Sequence, residues 1–546
     1  MTNLPLMTNR KTILYLFLLI SFMAIMTGCQ KNNPTTTALQ VSAAFNVDKS
    51  IGDSPVTVKF INATLNGSSY IWYFGDHTTS TDKDPVHTFT NPANSATSGF
   101  TVTLTATAID HATSVASKAL TVYPKSAQYD TPFQQIPSTE EVVMYEINIG
   151  AFSKNGNLSG IVDRLDSIKS LGINTIWLMP IYPLGKVKSF GSPYCVMNYR
   201  EVNPSFGTLN DLQTLVSQAH SRNMAVILDW VGNHTSWDNL WMVNKSWYTQ
   251  DAGGNIISPA GTNWTDVADL NFDNAEMRLA MISAMKYWTL IANIDGFRCD
   301  AADYVPYDFW KQAIDSLHAM KSRNLILLAE GSRSDHFLAG FQMNYAWDFL
   351  ATLKNVFVNK NNASALFTTN SAENAVLSGT QRKLRFTTNH DESGTLTPVE
   401  LFGGKPGALA ASVVAICLQG APLIYCGQEA GVSSPLAYTT QKPINWSLNP
   451  DMASAYKRLL GFYNSSAVLR KGTLQTFGHN DVLAFSRKYQ NENVLILVNT
   501  RNQIIDYPVP GSLVSTTWTN VLNNGSFYFQ SSITLNPFQY LILKNQ

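Results

Sequence analysis

The chain has 546 residues, 45% of them hydrophobic and only 14% charged, a composition that fills large cores and excludes a disordered polymer. Lys+Arg and Asp+Glu both number 38, so the formal net charge is zero. No basic excess exists to neutralise phosphates, which excludes nucleic acid as an expected partner. At ~100–200 residues per domain, two to four domains are expected. Aromatic residues make up 11%, including 12 Trp and 22 Tyr. Most are expected in cores, and the rest can line a groove with the flat apolar faces that suit sugar rings. Five Cys (Cys29, Cys195, Cys299, Cys417, Cys426) include no CxxC pair. That excludes the usual zinc and redox motifs and leaves buried thiols as the expectation for Cys299 and Cys417.

In chain order, Arg10 and Lys11 precede an almost unbroken apolar run at 13–26. Its length fits a signal-peptide core and falls short of the roughly 20 residues a spanning helix needs. The run ends in Met26-Thr27-Gly28-Cys29, which resembles a bacterial lipobox. The resemblance implies a signal at 1–28 and acylation of Cys29. A secreted lipoprotein of the cell envelope would follow, its partner the outer membrane at the cell surface. Residues 29–40 are polar and read as a tether.

Residues 41–124 carry short β-rich runs with turn signals at regular spacing. The segment 100–108 alternates, with Val102, Leu104 and Ala106 on one face. A β-sandwich is expected. Tyr70-Ile71-Trp72-Tyr73-Phe74-Gly75-Asp76 and Asp84-Pro85-Val86-His87-Thr88-Phe89 resemble the signatures of PKD (polycystic kidney disease) domains. This implies a PKD-like spacer, or a carbohydrate-binding accessory module, rather than a catalyst. His87 is expected to be a satisfied strand residue.

Over 138–455 short apolar runs alternate with helix-period segments, the βα pattern of a parallel sheet. Strands are expected at 142–149, 174–179, 225–230, 296–298, 325–329, 384–388 and 423–425, and helices at 158–171, 209–222 and 277–291. This many units favours a closed (β/α)8 TIM barrel, with the active site at the C-terminal strand ends. Asp229, Asn233 and His234 end or follow the third of these strands, Arg298 and Asp300 the fourth, Glu330 the fifth, and Asn389, His390 and Asp391 the run at 384–388. Any one Asp after a strand can simply cap a helix. Convergence of three carboxylates with His234, His390 and Arg298 beside them argues against a purely structural role.

Glycoside cleavage needs a carboxylic acid to protonate the leaving oxygen and a second carboxylate to attack carbon or activate water. Arg298 lies two residues before Asp300 on the same strand face. Its guanidinium is therefore expected to keep Asp300 ionised, as a nucleophile requires. Glu330 follows the apolar run 325–329, surroundings that favour the protonated carboxyl of a general acid. Asp391 is expected to hold sugar hydroxyls as a carboxylate, with His234 and His390 donating to them.

These segments resemble the regions of glycoside hydrolase family 13, the α-amylase family. Asp229-Trp230-Val231-Gly232-Asn233-His234 is similar to DxxxNH, and Gly296-Phe297-Arg298-Cys299-Asp300-Ala301 to GFRxDA. Ala329-Glu330-Gly331 stands at the acid/base region, and Phe386-Thr387-Thr388-Asn389-His390-Asp391 is similar to FxxNHD. Pro193-Tyr194 resembles the segment with a ring-stacking Tyr, and Gly420-Ala421-Pro422-Leu423-Ile424-Tyr425-Cys426-Gly427-Gln428-Glu429 the eighth-strand motif. The resemblance implies Asp300 as nucleophile, Glu330 as acid/base and Asp391 as transition-state stabiliser. It places Tyr194, Asp229, His234, Arg298 and His390 at the substrate, and a final all-β domain at 456–546, with strands at 481–488, 493–499 and 532–543. It implies cleavage of α-1,4 bonds in an α-glucan (starch, glycogen or maltodextrin) with retention. Neopullulanase, α-1,6-glucosidase or glucanotransferase action stays open within the family. A non-catalytic glycan-binding surface protein is disfavoured by the three carboxylates.

Calcium-dependent members carry a Lys-His pair where this chain has Asp303 and Tyr304, and the usual Asp before Tyr199 is Asn198. Asn233 matches a calcium ligand of the family, yet one amide is a poor site for an ion wanting six to eight oxygens. No cofactor is required on this reading, and Ca2+ stays open only through Asn233. The loop at 235–275 holds Trp237, Trp241, Trp247, Tyr248 and Trp264. These are either platforms for outer glucose units or the packing of a small subdomain.

Overall fold

The computed structural model describes residues 40–91, 97–320 and 323–545. The signal segment, Cys29 and nearly all of the tether lie outside the described residues.

The first strands build two facing sheets. One has the order Phe45–Val47, Val56–Asn62, Val86–Phe89, and the other Ile51–Asp53, Thr113–Tyr123, Ser98–Thr107, Ser69–Tyr73, Thr79–Ser80. Their inner faces bury Phe45, Phe60, Trp72, Phe89, Val102 and Leu104 in a core of their own. His87 Nε2 lies 2.6 Å from Asp76 Oδ2, and its ring stacks on Phe74 at 4.2 Å, so it is satisfied within the unit. Arg200 docks this sandwich onto the larger domain that comes after it in the chain. That guanidinium pairs with Asp53 Oδ1 at 2.7 Å, donates to Ser283 Oγ at 2.7 Å, and covers the Tyr123 ring at 3.9 Å.

Eight parallel strands then close a barrel: β1 (Met144–Ile147), β2 (Thr175–Leu178), β3 (Ala225–Val231), β4 (Gly296–Asp300), β5 (Ile326–Ala329), β6 (Met343–Tyr345), β7 (Arg382–Arg385) and β8 (Ala421–Tyr425), with β8 pairing β1. Successive strand residues face opposite sides, so two apolar layers arise from one alternation. Met144, Trp177, Ala225, Ile227, Ile326 and Leu328 fill the interior, while Tyr145, Ile176, Val226, Leu228 and Leu327 pack outward. At the C-terminal ends the inward positions turn polar in the same step of two. Glu146 follows Met144, Asp229 follows Ile227, and Glu330 follows Leu328.

Several expectations are corrected. The helix at 158–171 is two, Leu158–Val162 and Leu165–Ser170. Strand β6 has three residues, too few for periodicity to register, and no strand was expected there. Strand β7 lies at Arg382–Arg385 rather than 384–388. Its cations disguise it: Lys383 is 3% exposed, and fully buried Arg385 pairs with Glu373 and lies over Phe349 at 4.0 Å. Residues 532–543 are not one strand. Ser532–Leu535 pairs with Ile505–Pro508, and Tyr540–Asn545 joins a separate six-stranded sheet. The all-β unit starts at Thr473 instead of 456, since Pro450–Ser465 and Ala467–Lys471 are helices. Cys195, Cys299, Cys417 and Cys426 are all free and buried.

Gly296 opens β4 at φ +152°, where an added Cβ would stand 1.9 Å from the Ile326 carbonyl oxygen. Backbone on the partner strand cannot yield cheaply, so Gly296→Ala is expected to cost about 3 kcal/mol or more. Gly461, inside the helix Pro450–Ser465, has nothing within 4 Å of that position. Gly461→Ala is expected to be neutral or to stabilise by up to about 1 kcal/mol. Calorimetric melting of both variants checks the contrast.

Candidate active site

The site is organised by Arg298 on β4, whose side chain is wholly buried. Its Nη1 contacts Asp229 Oδ1 on β3 at 2.8 Å and Asp300 Oδ1 on its own strand at 3.0 Å. Its Nη2 lies 2.7 Å from Glu330 Oε1, an ion pair without hydrogen-bond alignment. Its Nε donates to Tyr345 Oη on β6 at 3.1 Å. Pairing across the sheet sets this up, because Arg298 is in register with Asp229 on one side and Leu328 on the other. The second Glu330 oxygen accepts from the Ala301 N–H at 2.7 Å. Ala301 follows Asp300 at φ 44°, ψ 40°, a left-handed conformation that costs a residue with a Cβ.

Above this floor lies a cavity of about 200 Å³ lined by Tyr194, His234, Trp264, Asp300, Glu330, His390, Asp391 and Tyr438, among others. Asp229 and Arg298, expected at the substrate, are instead wholly buried and lie beneath the lining. Tyr194 Oη donates to Asp229 Oδ2 at 3.0 Å and lies 2.7 Å from His390 Nε2, and the two rings stack at 5.2 Å. His390 Nδ1 faces Glu146 Oε1 on β1 at 2.5 Å, and its Nε2 is 3.4 Å from Asp391 Oδ1. Trp177 Nε1 donates to Asp229 Oδ2 at 3.1 Å.

Burial pushes Asp300 well above the usual carboxylate range, Arg298 opposes it, and Glu330, Asp229 and Asp391 add to it. Arg298, expected to favour the ionised form of Asp300, does pull in that direction, but the guanidinium is shared among three carboxyls and burial outweighs it. Burial likewise raises Asp229 and Glu146 against the pull of Arg298 and His390. Glu330 does not sit in apolar surroundings, as its strand suggests. It is held between a guanidinium and a peptide N–H. Burial lowers His234 to about 4, so it is neutral at the cavity wall. His390 resists burial, because Asp391 and Glu146 raise it to about 9. A cationic His390 can donate from Nδ1 to Glu146 and from Nε2 to Tyr194.

Sequence reasoning missed Glu146, Trp177, Tyr345, Asp266 and Tyr438. Glu146 had a signal, as the one charge in the apolar run 142–149 and in step with the inward residue Met144. Asp266 and Tyr438 reach the cavity from loops, where no period operates. The loop aromatics divide. Trp241, Trp247 and Tyr248 are at most 3% exposed and pack, whereas Trp264 lines the cavity. Asn233 is buried, with its amide nitrogen 3.4 Å from His234 Nδ1. Among the described residues no three His, Cys, Asp or Glu side chains gather as a metal site.

The raised proton affinity of His390 makes stability depend on pH. Its folded value of about 9 stands above the ordinary 6.5, so the folded state holds this proton more tightly than the unfolded chain. The stabilisation is complete below pH 6.5 and is lost as pH rises through about 9. The unfolding midpoint is expected to fall across that window, and Glu146→Gln to move the fall to lower pH. Thermal melts of both proteins at a series of pH values check this.

The sequence matches the family described as "Alpha amylase, catalytic domain" over residues 87–253 and 262–458, and "Maltogenic Amylase, C-terminal domain" over 476–542. It is 29% identical to Alpha-amylase 3 of Dictyoglomus thermophilum across 59% of this chain and 70% of that one. It is 26% identical to an intracellular maltogenic amylase of Bacillus subtilis across 71% and 69%. Among solved structures, an α-amylase from Lactobacillus plantarum superposes with a TM-score of 0.67 at 26% identity, covering 75% of this chain and 99% of that one. With the catalytic-domain match spanning most of its length, the chain belongs to the α-amylase family, glycoside hydrolase family 13.

Proposed function

We propose that this glycosidase hydrolyses α-1,4-glucosidic bonds in starch, glycogen or maltodextrins by double displacement. One observation carries the reading: Asp300 and Glu330 contact the same guanidinium at 3.0 and 2.7 Å, beside one cavity. A retaining pair needs its carboxyls roughly 5–5.5 Å apart, and a shared guanidinium keeps them close. Asp300 attacks the anomeric carbon while Glu330 gives its proton to the departing glycosidic oxygen. Glu330, now a carboxylate, takes a proton from water, whose oxygen attacks the same carbon and frees Asp300. The site holds more carboxyls than cations, and burial raises Asp300 above the usual carboxylate range.

Asp391, about half exposed at the cavity, would stabilise the positive ring and hold its hydroxyls. Tyr194 would stack under that ring, with neutral His234 donating to a hydroxyl and cationic His390 holding the Tyr194 hydroxyl in place. Asp229 and Arg298 would act from beneath. The α-amylase and maltogenic amylase names of the relatives support the linkage. The N-terminal sandwich is proposed as a PKD-like spacer, and Cys29 as the lipid attachment of an outer-membrane, cell-surface protein. Catalysis is proposed to need no calcium, supported by Asp303 and Tyr304 standing where the calcium-dependent members carry a Lys-His pair.

Asp300→Asn is expected to lower kcat by on the order of 10³-fold or more with the fold intact. NMR of the first product formed is expected to show the α anomer. Inverted product, or wild-type turnover by Asp300→Asn, would refute the mechanism. The product profile on amylose, pullulan and maltotriose separates α-1,4 hydrolysis from α-1,6 cleavage and sugar transfer. A chelator is expected to leave the rate unchanged; a loss restored by Ca2+ would reverse the calcium proposal.

A further inference from the structure

Two loops leave the barrel mouth side by side, one carrying Asp300 and the other Glu330. Main-chain bonds clamp residue 330 itself: its N–H donates to the Cys299 carbonyl at 2.9 Å, and its carbonyl accepts from Ala302 at 2.9 Å. The chain beyond it is held from β6, where the Tyr345 N–H donates to the Gly331 carbonyl and Asn344 Nδ2 to the Arg333 carbonyl, both at 3.2 Å, and from the neighbouring loop by one carboxylate. Asp303, in the turn Ala302–Tyr304, accepts the Ser332 N–H on Oδ2 at 3.0 Å and the Arg333 N–H on Oδ1 at 3.3 Å. Arg333 returns the contact, donating from Nη1 to the Asp303 carbonyl at 2.9 Å and to the Val305 carbonyl at 3.1 Å. His336, only 1% exposed, backs the same carboxylate with Nε2 at 3.4 Å from Oδ1. Gly331 at φ +154° lets the carboxylate come this close, since a Cβ there would stand 2.3 Å from Asp303 Oδ1.

The geometry points to Asp303 as a positioning residue for Glu330, a clasp that fixes the direction in which the chain leaves the acid/base carboxyl. Asp303 is absent from the cavity lining and touches none of the three carboxylates. Its hold is on the two residues after Gly331. A carboxylate is the side chain that suits two successive N–H donors, because it offers two acceptor oxygens and no competing donor. Without it, the Ser332 and Arg333 amides lose their acceptor, and the remaining contacts, all to main-chain carbonyls of the two loops, cannot replace it. A shift of about 1 Å at a proton-donating carboxyl can cost on the order of 100-fold in rate.

This inference rests on Glu330 being the general acid, and its test can separate the two. Proton donation matters when the leaving group is a sugar and matters little when it is a nitrophenolate, which departs unaided. The full chain and its Asp303→Ala and Asp303→Asn variants are compared on maltoheptaose and on a nitrophenyl maltoside. Asp303→Ala is expected to lose about tenfold or more in kcat/KM on maltoheptaose, through kcat, with KM within about twofold. On the aryl substrate kcat/KM is expected to fall far less. Asp303→Asn, which keeps one acceptor oxygen, is expected to show the same pattern more weakly. Proportional losses on both substrates in both variants, or no loss on either, overturn the clasp. Glu330→Gln is the reference and is expected to show the pattern in its strongest form. If it does and the Asp303 variants do not, only the clasp falls. If Glu330→Gln lacks it, the acid assignment falls and takes the clasp with it.

Discussion

One buried guanidinium holds carboxyl groups from three strand ends at the barrel mouth. Taking Arg298 wholly out of water costs several kcal/mol unless its donors are met, and the same is true of each carboxylate around it. Asp229 and Asp300 accept from Nη1 at 2.8 and 3.0 Å, Tyr345 accepts from Nε at 3.1 Å, and Glu330 faces Nη2 at 2.7 Å as an ion pair without alignment. The planar fork of an arginine allows this, whereas a lysine ammonium would be a point charge with nothing to orient three partners. Strands β3, β4 and β5 with β6 are thereby tied at the end where chemistry takes place. Removing Arg298 would leave its carboxyls facing one another with no cation between them.

A second cation completes the balance on the far side. His390 sits between Glu146 of β1 and Asp391, and the two anions overcome the burial that would otherwise strip its proton. His234 has no such partners and is neutral. Two histidines on the same cavity wall thus differ in charge because of what stands behind them. Carboxyls nevertheless outnumber cations, so the acids beneath the cavity are shifted upward by burial and mutual repulsion.

Geometry around the site is enforced from outside it as well. Ala301 accepts a strained left-handed conformation and thereby offers its N–H to Glu330, and Gly331 makes room for Asp303. Further away, Arg200 locks the N-terminal sandwich onto the helix Ala275–Ile291 through Asp53, Tyr123 and Ser283. That helix leads directly into β4, so the accessory unit bears on the element that delivers Arg298 and Asp300.

The amino-acid sequence by itself determined the barrel and three acids of the cavity lining, Asp300, Glu330 and Asp391, because strand alternation and motif order are local properties. Inward residues recur every second position, and a polar residue at the end of such a series falls at the mouth. By the same rule Glu146 was within reach. Strand β7 was misplaced because its cations read as surface residues although Arg385 is buried on Glu373 and Arg382 pairs with Glu140, and β6 was overlooked because three residues carry no period. Only the tertiary structure decided which acids touch the cavity, which lie beneath it, and where the protons reside. Asp229 near the end of β3 and Asp391 in the loop after β7 both stand at the barrel mouth, yet one is sealed under Tyr194 and the other is half exposed. Proton affinity depends on burial and on charges from strands far apart in the chain, and no local pattern encodes those distances.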